Sequence, residues 1–307
     1  MTPPAAGVEL AQVNVARLRQ PLDHPDTADF VAGLEPVNAL ADTSPGFVWR
    51  LQTDAGDATS LRIFPDDQVI VNLSVWTSVE TLRNFVYRSA HTPFLRRRAE
   101  WFERMATPAV ALWWVPASHR PDVAEARDRL DFLAVHGASP YAFALRNPEP
   151  PLLLERRLPT APDAAALIRE LDEELVRRYP EPGGTFFRLD DREVDDGRGA
   201  FLVARLDGQP VGCGAVRVLK GEWPERTAEL KRMYVRPDGR GRRIGAAVLD
   251  GLLAEARRLG VRRVVLETGR RQLEALALYE RAGFEECGCW GGYAQAPLSV
   301  CLGRSVG

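Results

Sequence analysis

Residues 227–235, TAELKRMYV, have the composition of a strand, and a helical pattern begins only a few residues later, after the turn PDGRGRRIG at 237–245. No other junction in the chain constrains the fold as much. Gly239, Gly241 and Gly245 permit positive φ and close backbone approach. A helix that opens just after a strand aims its unpaired amides and its positive end at one point. Ile244, Val248, Leu252, Ala256 and Leu259 recur at helical steps, predicting a helix from about Gly241 to Leu259 that Gly260 ends. VRRVVLET then reads as a buried strand, and Gln272 to Ala282 as a second helix stopped by Gly283. The result is a mixed α/β unit with an anion site at its turn.

Arg240, Arg242 and Arg243 add charge beside that turn, so a pyrophosphate is well matched to it. The run is not GxGxxG, and no Lys followed by Ser or Thr closes it, which disfavours a dinucleotide or a nucleoside triphosphate. Upstream, FLVARLDGQPVGCGAVRVL predicts a hairpin turning on Asp207 and Gly208. Asp163 to Arg178 predicts an amphipathic helix with Leu167, Ile168, Leu171 and Leu175 on one face, stopped by Pro180 and Pro182. LLLERRL before it, and FEECGCW and LSVCLG at the end, read as strands.

At 307 residues the chain is long enough for two cores. NPEPP at 147–151 removes backbone donors and blocks a helix, so the boundary is placed there, giving domains at 1–149 and 150–307. The first half reads β-α-β-β-α-β with a trailing helix. VELAQVNV, GFVWRLQT, VIVNLSVW and AVALWWVP are the strands, Asp26 to Leu40 and SVETLRNFVYRS the helices, and Ser78 the second helix's cap. That order predicts a ferredoxin-like α+β unit whose second sheet face needs cover, as in a dimeric α/β-barrel. A homodimer through this domain is the corresponding expectation.

A net charge of -2 disfavours nucleic acid and membrane surfaces as partners. No apolar run reaches the roughly 20 residues of a membrane span, and the amino terminus lacks a secretory pattern; a cytoplasmic location is expected. Histidines lie only in the first half and cysteines only in the second, which argues against a mixed zinc site, so no metal is expected. Cys213, Cys287, Cys289 and Cys301 read as four buried reduced thiols. Cys301 has no histidine in its domain to activate it as a nucleophile.

Taken together, AELKRMYVRPDGRGRRIGAAVL and ALALYERAGF resemble the acetyl-coenzyme-A-binding core of the GNAT N-acetyltransferase superfamily, over about Leu152 to Gly303. The resemblance implies that residues 240–245 take the pyrophosphate on backbone donors, with Arg240 and Gly245 matching the family's motif Q/R-x-x-G-x-G/A. Arg243 stands where the middle glycine is usual, and helical dihedrals with an outward side chain would accommodate it. It further implies that Met233, Tyr234 and Val235 pair with the pantetheine arm, and that Arg242, Ile244 and Ala246 complete the cofactor loop. By the same resemblance Gln272 takes the place of a common asparagine, Glu229 is the general base and Tyr279 the general acid. The expected reaction is acetyl transfer from acetyl-CoA to an amine within a ternary complex, to a small molecule in preference to a protein. Asp190, Asp191, Glu193, Asp195 and Asp196 fall in the stretch 180–199 that borders the acceptor in relatives, where a solvated loop is the simpler reading. A non-catalytic acyl-CoA sensor read out through the first domain is the alternative.

The first half, with AHTPFLRRRAEWFERM, resembles an uncharacterised bacterial domain family of the dimeric α/β-barrel group. No activity follows from that. His91 is read as structural in preference to a haem ligand, and Trp49, Trp76, Trp101, Trp113 and Trp114 as core.

Overall fold

The computed structural model describes residues 7–89, 91–180, 189–221 and 223–306. The chain divides into two units, 1–153 and 154–307.

The first unit contains β1 (Val8–Arg17), α1 (Ala28–Asp42), β2 (Phe47–Arg50), β3 (Val69–Trp76), α2 (Val79–Arg88), α3 (Thr92–Trp101), β4 (Val110–Pro116) and α4 (Val123–His136). Its sheet runs β2-β3-β1-β4 with each pairing antiparallel, the order and polarity expected of a ferredoxin-like unit. Ser78 caps α2 by accepting from the Thr81 amide, and the Thr81 hydroxyl accepts from the Ser78 amide in return. Helix α3 was not foreseen, because TPFLRRRAEW carries little apolar periodicity. Pro93 in its first turn and burial of Trp101 against Phe30, with ring centroids 5.8 Å apart, account for it. Trp76, Trp101, Trp113 and Trp114 are buried as expected, whereas Trp49 is half-buried. His91 stacks on Phe85 with ring centroids 5.1 Å apart.

The second unit contains all but the first two residues of β5 (Leu152–Arg156), then α5 (Pro162–Arg178), β6 (Gly199–Leu206), β7 (Gln209–Val218), β8 (Thr227–Val235), α6 (Ile244–Arg258), β9 (Arg263–Gly269), α7 (Leu273–Arg281), the two-residue β10 (Glu285–Glu286) and β11 (Ser299–Ser305). Its sheet order is β10-β11-β9-β8-β7-β6-β5, and β8 and β9 pair in parallel. The β6–β7 hairpin turns on Asp207 and Gly208 at φ 49° and 78°, the two positive values that a tight two-residue turn needs. Leu167 and Leu171 of α5, with Ile168 and Leu175, pack on Phe201, Val203, Cys213, Ala215 and Tyr234. On the other face α6 approaches β7 at Gly214, where an added Cβ would lie 2.7 Å from Leu252 Cδ1 and 2.9 Å from Val248 Cγ1.

The cysteine expectation is corrected. Cys289 and Cys301 form a disulfide with Cα atoms 5.2 Å apart, and only Cys213 and Cys287 are free thiols. The physical reason is tertiary. Strand β11 runs antiparallel to β10, pairing Glu286 with Leu302, and the Cys287 amide donates to the Cys301 carbonyl, which brings Cys289 alongside. No helix among the described residues is long and apolar enough to cross a membrane.

Candidate active site

Strands β8 and β9 pair from Thr227↔Arg263 to Leu230↔Leu266 and no further, although β8 runs on to Val235 and β9 to Gly269. The divergence has a local cause. The register of β8 against β7 shifts between Cys213 and Ala215, leaving Arg232 and Met233 opposite Gly214, with Arg232 at φ 57°. A bulge of this kind bends its strand, and the Arg232 guanidinium is held by Asp172 of α5. Beyond Leu230, the edge of β8 carrying Met233, Tyr234 and Val235 therefore faces an open V in place of a neighbouring strand. Apart from the Val235 carbonyl, which accepts from Arg240, its backbone donors and acceptors can pair with an amide-bearing ligand.

The turn that follows ends in α6. Gly241 sits at φ 78°, and Arg243 at φ 61°, ψ 17°. This corrects the expectation of helical dihedrals at Arg243. It also explains why α6 starts at Ile244 and not near Gly241: the left-handed residue turns the chain into the helix, a conformation that glycine adopts without steric cost. The amides of residues 241, 242, 244, 245 and 246 donate to no backbone carbonyl among the described residues, a cluster of donors at a helix start. A Cβ on Gly245 would lie 3.6 Å from Leu278 and 3.7 Å from Val235, ordinary contacts, so the protein itself leaves space there. Arg240 does not reach over this space. Its Nε donates to the Val235 carbonyl at 2.9 Å and its guanidinium pairs with Glu174, tying the loop to β8 and α5. Arg236 is fixed in the same way by Glu170 at 2.6 Å. Arg242 is half-buried and the Arg243 side chain is exposed.

Tyr279 of α7 is 5% exposed, and its hydroxyl has no hydrogen-bond partner among the described residues. Burial pushes its phenol well above the ordinary range, so it is protonated at neutral pH. Leu278, one residue earlier, is the neighbour of Gly245, which places α7 beside the loop. Gln272 precedes α7 and its side chain makes no capping bond.

Glu229 is buried, with 1% exposure, and it is fully engaged. Arg217 donates to its Oε2 from Nε at 2.8 Å and the Tyr293 hydroxyl donates to Oε1 at 2.9 Å. Arg217 also pairs with Glu193, and Lys231 Nζ donates to the Tyr293 hydroxyl at 3.2 Å. Lys231 and Glu267 are the first residues past the last β8–β9 pair, and with Glu229 they share the face on which α5 packs. Ser299 donates to Oε1 of Glu267, while Oε2 has no hydrogen-bond partner among the described residues. Burial pushes the Glu267 carboxyl up and the Lys231 ammonium down from their ordinary values.

Glu267, Lys231 and Tyr293 were missed in the sequence. The usable signal was VVLET itself, since a carboxylate ending a buried parallel strand is costly unless it has a task. Of the acidic stretch, Asp190 caps a short 3-10 turn and Asp191 accepts from Thr160. Residues 181–188 of the expected acceptor loop, including Pro182, lie outside the described residues. Among the described residues, no group of three or more His, Cys, Asp and Glu is placed to hold a metal.

A family model described as "Acetyltransferase (GNAT) family" matches residues 165–284, and one described as "Domain of unknown function (DUF3291)" matches residues 9–157. A protein of Azospirillum brasilense named IAA acetyltransferase is 38% identical over 158 residues, which is 51% of this chain and 99% of that protein. An uncharacterized N-acetyltransferase of Schizosaccharomyces pombe is 34% identical over 134 residues, 40% of this chain and 80% of its own. One from Escherichia coli is 32% identical over 123 residues, 39% and 64% respectively.

Proposed function

Since the chain belongs to the GNAT acetyltransferase family through its C-terminal half, we propose that it moves the acetyl group of acetyl-coenzyme A directly onto a small-molecule amine. The observation that carries this reading is the pairing of the open β8–β9 V with the donor-rich start of α6. The V offers strand-like hydrogen bonds to the amides of a pantetheine arm. The amides of Gly241, Arg242, Ile244, Gly245 and Ala246, with the helix's positive end, suit a pyrophosphate.

Direct attack is favoured over a thiol relay. Cys213 is wholly buried with its thiol pushed up by desolvation, and Cys301 is held in the disulfide. An alkyl amine with a pKa of roughly 10 is almost entirely protonated at neutral pH, so a proton must leave before nitrogen can attack the thioester carbonyl. Glu229 was the expected acceptor of that proton, but Arg217 and Tyr293 occupy it. Glu267 is the better candidate, with one carboxylate oxygen uncommitted at the vertex of the V. The C–N bond forms as the C–S bond breaks, and the departing thiolate takes the proton of Tyr279, whose hydroxyl is held neutral by burial.

The test is release of free coenzyme A from acetyl-CoA on addition of amines. Amine-dependent release supports transfer; tight acetyl-CoA binding with no release for any amine supports a sensor instead.

A further inference from the structure

The α5 face of the V has a charged floor along β7 and β8 and an aromatic wall beside it, and each restricts what the acceptor can be. On the floor, Arg217 is paired with Glu229 and Glu193, and Lys231 lies 3.9 Å from Glu229. These two cations and two carboxylates cancel, leaving Glu267 as the remaining carboxyl. A single ammonium is matched there, and a chain with several ammonium groups is not, because its further charges would find no carboxylate that Arg217 or Lys231 does not already neutralise.

The wall is formed by the segment between β10 and β11, together with Trp223 from the β7–β8 connection. Tyr293 is fixed to the floor through its hydroxyl, which donates to Glu229 at 2.9 Å and accepts from Lys231 at 3.2 Å. Trp290 meets Tyr293 edge to face, with centroids 5.4 Å apart and planes at 83°, and meets Trp223 in the same way at 5.8 Å and 77°. The disulfide of the adjacent Cys289 anchors this corner to β11, one residue beyond Val300 and two beyond Ser299, which touches Glu267. All three rings are half-buried, and none is in the buried cluster that packs α5 on the sheet. Rings set at right angles present a face and an edge together, the arrangement in which a further aromatic ring is bound favourably.

We propose that the acceptor is an arylalkylamine: one primary amine, directed to Glu267, on a short stem whose ring packs against Trp290 and Tyr293. This rests on the acetyl-transfer reading above. The probes are tryptamine and 2-phenylethylamine, compared with n-butylamine, which has no ring, and spermidine, which has several charges. Coenzyme A release is followed for each, and acetyl-CoA binding is measured separately by calorimetry.

A kcat/KM about tenfold higher for the ring amines than for n-butylamine is expected from ring contacts of this kind, with spermidine poorer than either ring amine. Trp290→Ala should bring the ratio of ring amine to n-butylamine towards one, and Trp290→Phe should retain most of it. If n-butylamine or spermidine is used as well as the ring amines, or if none is used by protein that binds acetyl-CoA, the proposal is overturned and the acetyltransferase reading stands. Failure of the native protein to bind acetyl-CoA would overturn that reading as well.

Discussion

The Tyr293 hydroxyl donates to Oε1 of Glu229 across 2.9 Å and so closes the segment between β10 and β11 over a carboxylate that Arg217 already grips through Oε2. A carboxylate held from both sides is a structural tie, and the neighbouring Glu267 is left with an oxygen to spare.

The two glutamates therefore separate by experiment. Glu229→Gln removes the charge opposite Arg217 in a site 1% exposed, and should lower stability by about 3 kcal/mol in urea unfolding. Glu267→Gln should change stability by less than about 1 kcal/mol and lower kcat by roughly a hundredfold. The pH profile carries the sign. The reactive form of Glu267 is the carboxylate, and burial raises its pKa above the ordinary 4.5, so activity is lost on acidification earlier than for an exposed carboxylate. That acidic limb of kcat/KM should vanish in Glu267→Gln and persist in Glu229→Gln.

Tyr279→Phe removes a hydroxyl that has no protein partner among the described residues, so folding should be unchanged. Acetyl-CoA affinity by calorimetry should stay within about twofold, while kcat falls by roughly a hundredfold, the usual worth of a positioned acid. A parallel loss of binding would assign Tyr279 to cofactor contact.

Arg243 occupies a left-handed conformation at φ 61°. Replacement by glycine relieves about 1 kcal/mol of strain and adds a similar flexibility to the unfolded chain, so Arg243→Gly should leave the urea midpoint nearly unmoved. Arg243→Val puts a β-branched residue in that conformation and should cost about 2 kcal/mol.

Much of this architecture was legible because it is written locally. Asp207-Gly208 dictates its turn through two positive φ values, Ser78 its cap, and the four-residue spacing from Ile244 to Ala256 its buried helical stripe. The left-handed Arg243 escaped because neither helical periodicity nor charge registers the dihedral of one residue. Glu267 and Lys231 meet only through the parallel register of two strands joined by a helix, and Cys289 reaches Cys301 only through β11. Such pairings depend on where strands stop pairing, which local pattern does not encode. Helix α3 was missed for a different reason: its stability comes from docking Trp101, and its sequence has no apolar stripe.

In the first unit, His119 and Glu125 form an ion pair at 2.7 Å beside the Trp113 indole, which donates to Glu125 at 2.8 Å. The bond to Glu125 raises the His119 pKa; burial opposes ionisation of Glu125, but the His119 bond and the charge of Arg129 outweigh it and hold Glu125 down to about 2. Glu125's contribution is present above its ordinary 4.5 and is lost as pH falls towards 2; that of His119 is full below 6.5 and is lost as pH rises through its raised value. The pair should therefore stabilise most between about pH 4.5 and 6.5. His119 is partly exposed and screened, so His119→Ala should cost about 1 kcal/mol in that window and less at pH 9.

The central claim is that the β8–β9 V and the start of α6 bind acetyl-CoA. Calorimetric titration of the native chain and of a Gly241→Asp, Gly245→Asp variant tests it most directly, since two carboxylates there would repel a pyrophosphate and fill the space beside Leu278. The account predicts saturable binding to the native protein and loss of at least about a hundredfold in affinity in a variant that is still folded, on the order of 3 kcal/mol. Equal affinity for both proteins, or no binding to the native chain, would contradict it.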